Sequence, residues 1–490
     1  MTVALRAVLA ITLLSGFYLL VATLVGAALF FDLSLIFGFG LRSLQGAVGY
    51  TLAAGALIHA LWVVSRRKQA EEPGIEVSRE QEPELWHTVE DLARQVQTAP
   101  PDEIRLVAEV NAAVAEDTRL LGLRAVRRRM YIGVPLMLAL TRDQMRAVLG
   151  HELGHYSGAH TRLGAPIYRG RVALIAAVRG LSDFAIVRMV FSGYARLYLL
   201  VSQAVSRRQE LEADRFAVAI AGREAMAGAL RTIHVTALAW EVFTDRYLSM
   251  AGAGGRRPRD VMAGFQALLH DPERRSRLVE AARVPEKTSR YDSHPALHDR
   301  LAMLADLPDP GLRPDPRPAL SLLRDPGRAI RAVEDHMWSP QALTELKAVS
   351  WEELVASGMY AVRNAEALHD LAVAGQRVRG TALPYLDTAF QALADGQRAA
   401  LEEQLLELGW HESDTLLTGV LAQALEAVLI RHGQAKWTLS WSGPARLLFD
   451  TGEEVAVVEF AAQIVDDPSG VPGMREWLRW MGVPPDYVPS

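Results

Sequence analysis

From Ala7 to Phe31 the chain carries no charged side chain, and the run is long enough to cross a ~30 Å hydrocarbon core as a helix. A second apolar run extends from about Gly46 to Val64, interrupted only by His59, and Ser65-Arg66-Arg67-Lys68 follows it. The first run is too long, and lacks the small-residue cleavage site, for a removable signal peptide. The two runs predict a transmembrane helix pair, with a buried hairpin of a soluble protein as the alternative. Positive charge flanks both outer ends, Arg6 before the first run and Arg66 to Lys68 after the second, while the connecting loop holds only Arg42 against Asp32. The positive-inside rule therefore places both termini, and all that follows residue 68, in the cytoplasm.

Composition narrows the chemistry. The 490 residues contain no cysteine, which excludes disulfides, thiol catalysis and cysteine-ligated metals. A formal net charge of −5 and the lack of a basic block exclude a nucleic-acid-binding arm. The bias of arginine over lysine fits a GC-rich bacterial source.

Beyond a polar linker at 69–80, helical periodicity begins at Gln81, and Glu103 to Ala108 alternates like a strand. Thr141-Arg142-Asp143-Gln144 has the form of a capping box and starts a helix. Its apolar stripe, Met145, Val148, Leu149 and Leu153, runs through His151-Glu152-Leu153-Gly154-His155. Residues 172–205 are apolar but carry Arg179, Arg188 and Arg196, so they read as helices on a membrane surface or in a protein groove, not as clean spans. Five prolines between Pro308 and Pro318 suggest a linker at 305–319. Residues 320–490 read as a mainly helical domain with a hairpin around Trp437–Trp441 and Arg446–Phe449.

His151 and His155, four apart on a helix, project from one face and can share one metal ion. Neutral imidazoles suit zinc, and a catalytic zinc takes three protein ligands with one position left for water. Glu152 is turned about 100° away, where it can serve that water as a base without filling the coordination shell. The third ligand is sought in Ser206-Arg207-Arg208-Gln209-Glu210-Leu211-Glu212-Ala213-Asp214. On a helix, Gln203, Arg207, Glu210 and Asp214 form one stripe. Glu210 can then ligate while Asp214 accepts from the far nitrogen of a ligating histidine, and Glu212 points the other way. The alternative for any such acidic pair is a solvated face.

HELGH, the pattern SRxxExxAD at 206–214, and Ser293-His294-Pro295 with Arg300 downstream together resemble the HtpX family. These are integral-membrane zinc metallopeptidases, a family that includes the CAAX prenyl proteases. The resemblance covers roughly residues 80–304. It implies Glu210 as the third ligand beside His151 and His155, and one zinc per chain. It also implies that Asn111-Ala112-Ala113-Val114 is the edge strand of a small sheet, to which an extended substrate adds. His294 is either a stabiliser of the oxyanion or a structural histidine; His59 and His160 receive no role.

The expectation is a mainly α protein with a small β-sheet. A gluzincin-like metallopeptidase domain (69–304) would follow a transmembrane hairpin (1–68, spans about 7–31 and 46–64). The expected activity is zinc-dependent hydrolysis of peptide bonds in membrane or membrane-adjacent proteins, with protein or peptide substrates and the lipid bilayer as partners. Processing of one defined substrate, or a scaffold acting through residues 320–490, are the alternatives. The Arg-rich stretch from Arg119 to Arg129 has no place in this reading.

Overall fold

The computed structural model describes residues 3–36, 72–119, 124–156, 174, 185–283 and 295–489. It is mainly helical with small sheets. The chain divides into two compact units, Met1–Leu238 with Val279–Met337, and Ala239–Leu278 with Trp338–Ser490.

The first unit opens with α1 (Val3–Ile36), which takes up the first apolar run as one helix. The second run lies outside the described residues, and a helix pair is therefore not described. Among the described residues no helix is long and apolar enough to cross a membrane.

A four-stranded sheet follows, built from β1 (Ile75–Val77), β2 (Glu103–Val107), β3 (Ala112–Arg119) and β4 (Arg124–Gly133), in the order β1-β2-β4-β3. Between β1 and β2 lies α2 (Pro83–Gln95), joined to β1 where Trp86 Nε1 donates to the Val77 carbonyl at 2.8 Å. β2 and β4 are parallel, and β3 pairs antiparallel with β4 as an edge strand. Ile104, Leu106, Met130 and Ile132 fill the buried face. Of the Arg-rich stretch, Arg119 ends β3, and Arg124, Arg127, Arg128 and Arg129 lie in β4. Arg127 pairs with buried Glu103 of β2 at 2.6 Å, and Arg128 with Glu116 of β3 at 2.8 Å. Opposite charges on neighbouring strands stabilise a sheet by ~0.2–1 kcal/mol per pair, so these arginines answer acids across the ladder.

α3 (Arg142–Gly154) carries the HELGH motif. At its start Gln144 Oε1 accepts from the Thr141 N–H at 3.1 Å, and the Thr141 hydroxyl donates to Asp143. α4 (Ala185–Ala221) is one continuous helix through the second acidic motif. Its N-terminal half packs on α1, where Phe17 meets Phe191 edge-on at 5.7 Å and Tyr194 donates to the Leu13 carbonyl. Met189, Leu197 and Leu200 remain exposed there, as do Leu19 and Phe30 of α1. α5 (Arg223–Arg246) and α6 (Leu297–Ala305) complete the helices used below.

The proline-rich segment does not separate the two units. Its end lies against the start of α3, with a bridge between Thr141 and Pro318. Arg142 N–H donates to the Arg317 carbonyl at 2.7 Å, and Ala319 N–H to the Leu140 carbonyl at 2.9 Å. The buried Arg142 guanidinium reaches Ser321 Oγ at 2.6 Å and Glu84 at 2.5 Å. A proline cannot donate to a ladder, but its neighbours can.

In the second unit, α7 (Ala365–Arg379), α8 (Leu386–Ala394) and α9 (Leu416–Arg431) share one apolar core. The expected hairpin is present as β5 (Ala435–Thr438) and β6 (Arg446–Phe449). Fully buried Asn364 donates to Glu426 at 2.8 Å and accepts from Trp437 Nε1 at 2.9 Å. Arg363 pairs with the same carboxylate at 2.9 Å, so a buried charge is matched. Residues 239–278 belong here because Tyr247 donates to the Ser440 carbonyl at 2.6 Å and Arg274 to that of Trp441 at 2.7 Å. α10 (Val457–Asp466) and α11 (Val471–Trp480) close the chain.

Candidate metal centre

α3 and α4 come together along small residues. A Cβ on Gly154 would meet Phe216 at 3.2 Å and the Cα of Ala213 at 3.3 Å. One turn earlier, a Cβ on Gly150 would meet Ile220 at 3.1 Å and the Cα of Ala217 at 3.9 Å. Two small-residue pairs, each four apart, let the backbones approach. The residues beside them, His151 and His155 on one helix and Glu210 and Asp214 on the other, then face each other.

Nε2 of His151 and Nε2 of His155 are 3.2 Å apart. The Glu210 carboxylate lies 3.6 Å from each, through Oε2 to His151 and Oε1 to His155. These three residues form a group able to hold a metal ion, with ligand atoms all within 4.8 Å of one another. Bonds of about 2.0–2.1 Å to a tetrahedral ion would separate two ligand atoms by about 3.3 Å, close to what is seen here. The donor set, two imidazoles and a carboxylate, suits zinc.

Behind the three, the Asp214 carboxylate accepts from His151 Nδ1 at 2.8 Å. It is itself held by Arg300 of α6, Nε at 3.0 Å and Nη2 at 2.5 Å. Burial alone would lower the pKa of His151, but hydrogen bonds to Asp214 and Glu210, with the charge of Glu152, push it up to about 9. Burial would raise Asp214; its bonds from His151 and Arg300 instead hold it below the usual carboxylate range. Arg300, which burial would depress, is raised by the same Asp214 carboxylate. The pocket therefore favours positive charge at the His151 imidazole and keeps Asp214 ionised.

Glu152 is half-buried beside its two histidine neighbours. Glu212 turns away and pairs with Arg208 at 3.1 Å near the surface. His294, like His160 and His59, lies outside the described residues. Arg300 has no role in the sequence reading beyond being part of a motif, and its distance along the chain from Asp214 hides the pairing. Tyr156, the residue after His155, donates to the Val114 carbonyl of β3 at 2.5 Å, with Arg128 over its ring at 4.8 Å. Adjacency to the motif is the one sequence signal for it.

Residues 79–307 match the sequence model of peptidase family M48. A protein named Protease HtpX homolog, from Leuconostoc citreum (strain KM20), is 27% identical over 316 residues, covering 60% of this chain and 94% of the relative. No solved structure matches. The matched segment contains both helices of the centre and Arg300, and over it the chain is similar to M48 peptidases and to the HtpX relative.

Proposed function

We propose that the chain is a zinc metalloendopeptidase anchored at a membrane, with the zinc held by His151, His155 and Glu210. The observation that carries this is the convergence of those three side chains from two helices, with Asp214 orienting His151 from behind. Asp214 accepts a hydrogen bond from Nδ1–H, which keeps the proton on Nδ1 and leaves the Nε2 lone pair of His151 directed at the metal. When bound, zinc supplies Lewis acidity, polarising the scissile carbonyl and bringing the pKa of water toward neutrality.

Glu152 is the general base. It sits next to His151 but about 100° around the helix, and so faces the attacking water instead of joining the ligands. It takes the proton from that water and delivers it to the leaving amine. The substrate lies extended along β3, whose free edge adds it as one more strand. Tyr156 joins the end of the metal helix to that edge through Val114, which sets the substrate backbone at a fixed distance from the centre.

The uncharged run at Ala7–Phe31, helical in α1, and the second run at Gly46–Val64 are the anchor in this reading. The flanking arginines and lysine place the peptidase domain on the cytoplasmic side. Substrates are then membrane proteins, their cytoplasmic loops or membrane-adjacent peptides. Residues 320–490 serve as a mainly helical module outside the catalytic domain.

Glu152→Gln tests the reaction. It should abolish hydrolysis of a peptide that the parent cleaves while bound zinc and melting temperature stay near parental values. Substantial remaining turnover would rule out the proposed base.

A further inference from the structure

The second unit carries an open groove of about 900 Å³, lined by the turn after β6 and by α10 and α11. Its floor is apolar. Ile464 and Met474 are buried there, and the half-buried rings of Phe460 and Trp477 meet edge-on at 5.8 Å. Three carboxylates, Glu454, Asp466 and Asp467, line it, and among the described residues no lysine, arginine or histidine does. Hydrogen bonds from Ser469 hold Asp467 below the usual carboxylate range, so it stays ionised. Asp466 lies 3.8 Å from Arg398 but is 79% exposed, which leaves most of its charge facing solvent.

Gly473 lines the same groove from within α11. Glycine is a poor helix former. A Cβ there would meet nothing within 4 Å, and its backbone is an ordinary helical one. Neither crowding nor a left-handed conformation accounts for the glycine, whereas a bulky side chain there would enter the groove.

We propose that this groove docks a peptide segment of a partner protein that presents large apolar side chains flanked by lysine or arginine. The apolar floor supplies the anchoring contact, as for an amphipathic segment laid into a hydrophobic groove. The three carboxylates select the sign of the flanking charge and disfavour an anionic lipid surface. The inference does not rest on the metal centre.

The test uses the full-length chain in detergent and a fluorophore-labelled 14-residue peptide of leucine and lysine, patterned to place leucines on one helical face. Saturable binding is expected, weakening as salt is added. Gly473→Ala should bind as the parent does, and Gly473→Trp at least tenfold more weakly, with both melting like the parent. If Gly473→Trp does not fold, Glu454→Gln with Asp466→Asn, both at exposed positions, should weaken binding at least threefold. A peptide of leucine and glutamate with the same pattern should not bind. The proposal would be overturned by no saturable binding of the lysine peptide, equal binding of the glutamate peptide, undiminished binding by the variant that fills or neutralises the groove, or groove-dependent binding to phosphatidylglycerol vesicles. Self-association lost on Gly473→Trp would assign the groove to a second copy of the chain and also overturn it.

Discussion

Asp214 accepts a hydrogen bond from His151 Nδ1 at 2.8 Å, and this contact decides which imidazole nitrogen is left for a metal. An acceptor behind a ligating histidine fixes both tautomer and ring orientation, and its loss typically costs about 10–100-fold in metal affinity or activity. Asp214→Asn should therefore lower zinc affinity by about that factor, measured by competition with a chromophoric chelator. The change also removes the carboxylate that the half-buried Arg300 bonds to, so melting temperature should fall as well. Parental affinity in a folded variant would show that the contact does not orient the ligand.

The approach of the two helices is as specific as the ligands. Gly154→Ala needs only a few tenths of an ångström of movement from Phe216 or Ala213. Gly154→Val needs much more, and overpacking of this kind costs about 1–3 kcal/mol. Gly154→Ala is expected to retain zinc, and Gly154→Val to lose both stability and metal as the helices part. Thermal melts read together with zinc content check this, and a Gly154→Val chain that keeps full zinc would contradict the packing argument.

Much of this centre was legible in the sequence because both motifs are four-residue repeats on helices. Helical spacing pairs His151 with His155 and Glu210 with Asp214 and turns Glu212 away, but it leaves a solvated face open for the acids; the family resemblance is what points to Glu210 as a ligand. Two features were not legible. The Asp214–Arg300 pair joins α4 to α6 across a long stretch of chain, and no local periodicity encodes such a contact. Prolines break helices and donate nothing, so the proline-rich stretch reads as a linker, yet the Arg317 carbonyl and Ala319 N–H fasten it beside α3. The boundary between units falls instead within the helical run α5, which hydrophobic patterning cannot mark.

Tyr156 offers a separate test of the substrate edge. Tyr156→Phe removes the hydroxyl that holds the Val114 carbonyl but keeps the ring under Arg128. If the contact sets the substrate backbone against the metal, KM for an extended peptide should rise several-fold while zinc content is unchanged. Unaltered KM and kcat would leave the contact structural.

The Arg142 anchor predicts a stability effect without a chemical one. Its guanidinium joins Glu84 to Ser321, and it holds the Glu84 carboxyl below the usual range. Arg142→Met should lower the melting temperature and speed proteolysis between Pro308 and Ser321, with zinc stoichiometry retained. Unchanged protease sensitivity there would mean that the segment is held by its backbone bonds alone.

Which acid holds the metal decides the chemistry of the centre. Glu210 and Glu212 have the same side chain and lie two residues apart, about 200° around the helix. One meets both histidines and the other meets Arg208. Zinc per chain and peptide turnover, measured on purified Glu210→Ala and Glu212→Ala, separate them directly. The expected result is loss of both zinc and turnover in Glu210→Ala and near-parental values in Glu212→Ala. Zinc retained in Glu210→Ala and lost in Glu212→Ala would contradict the proposed centre.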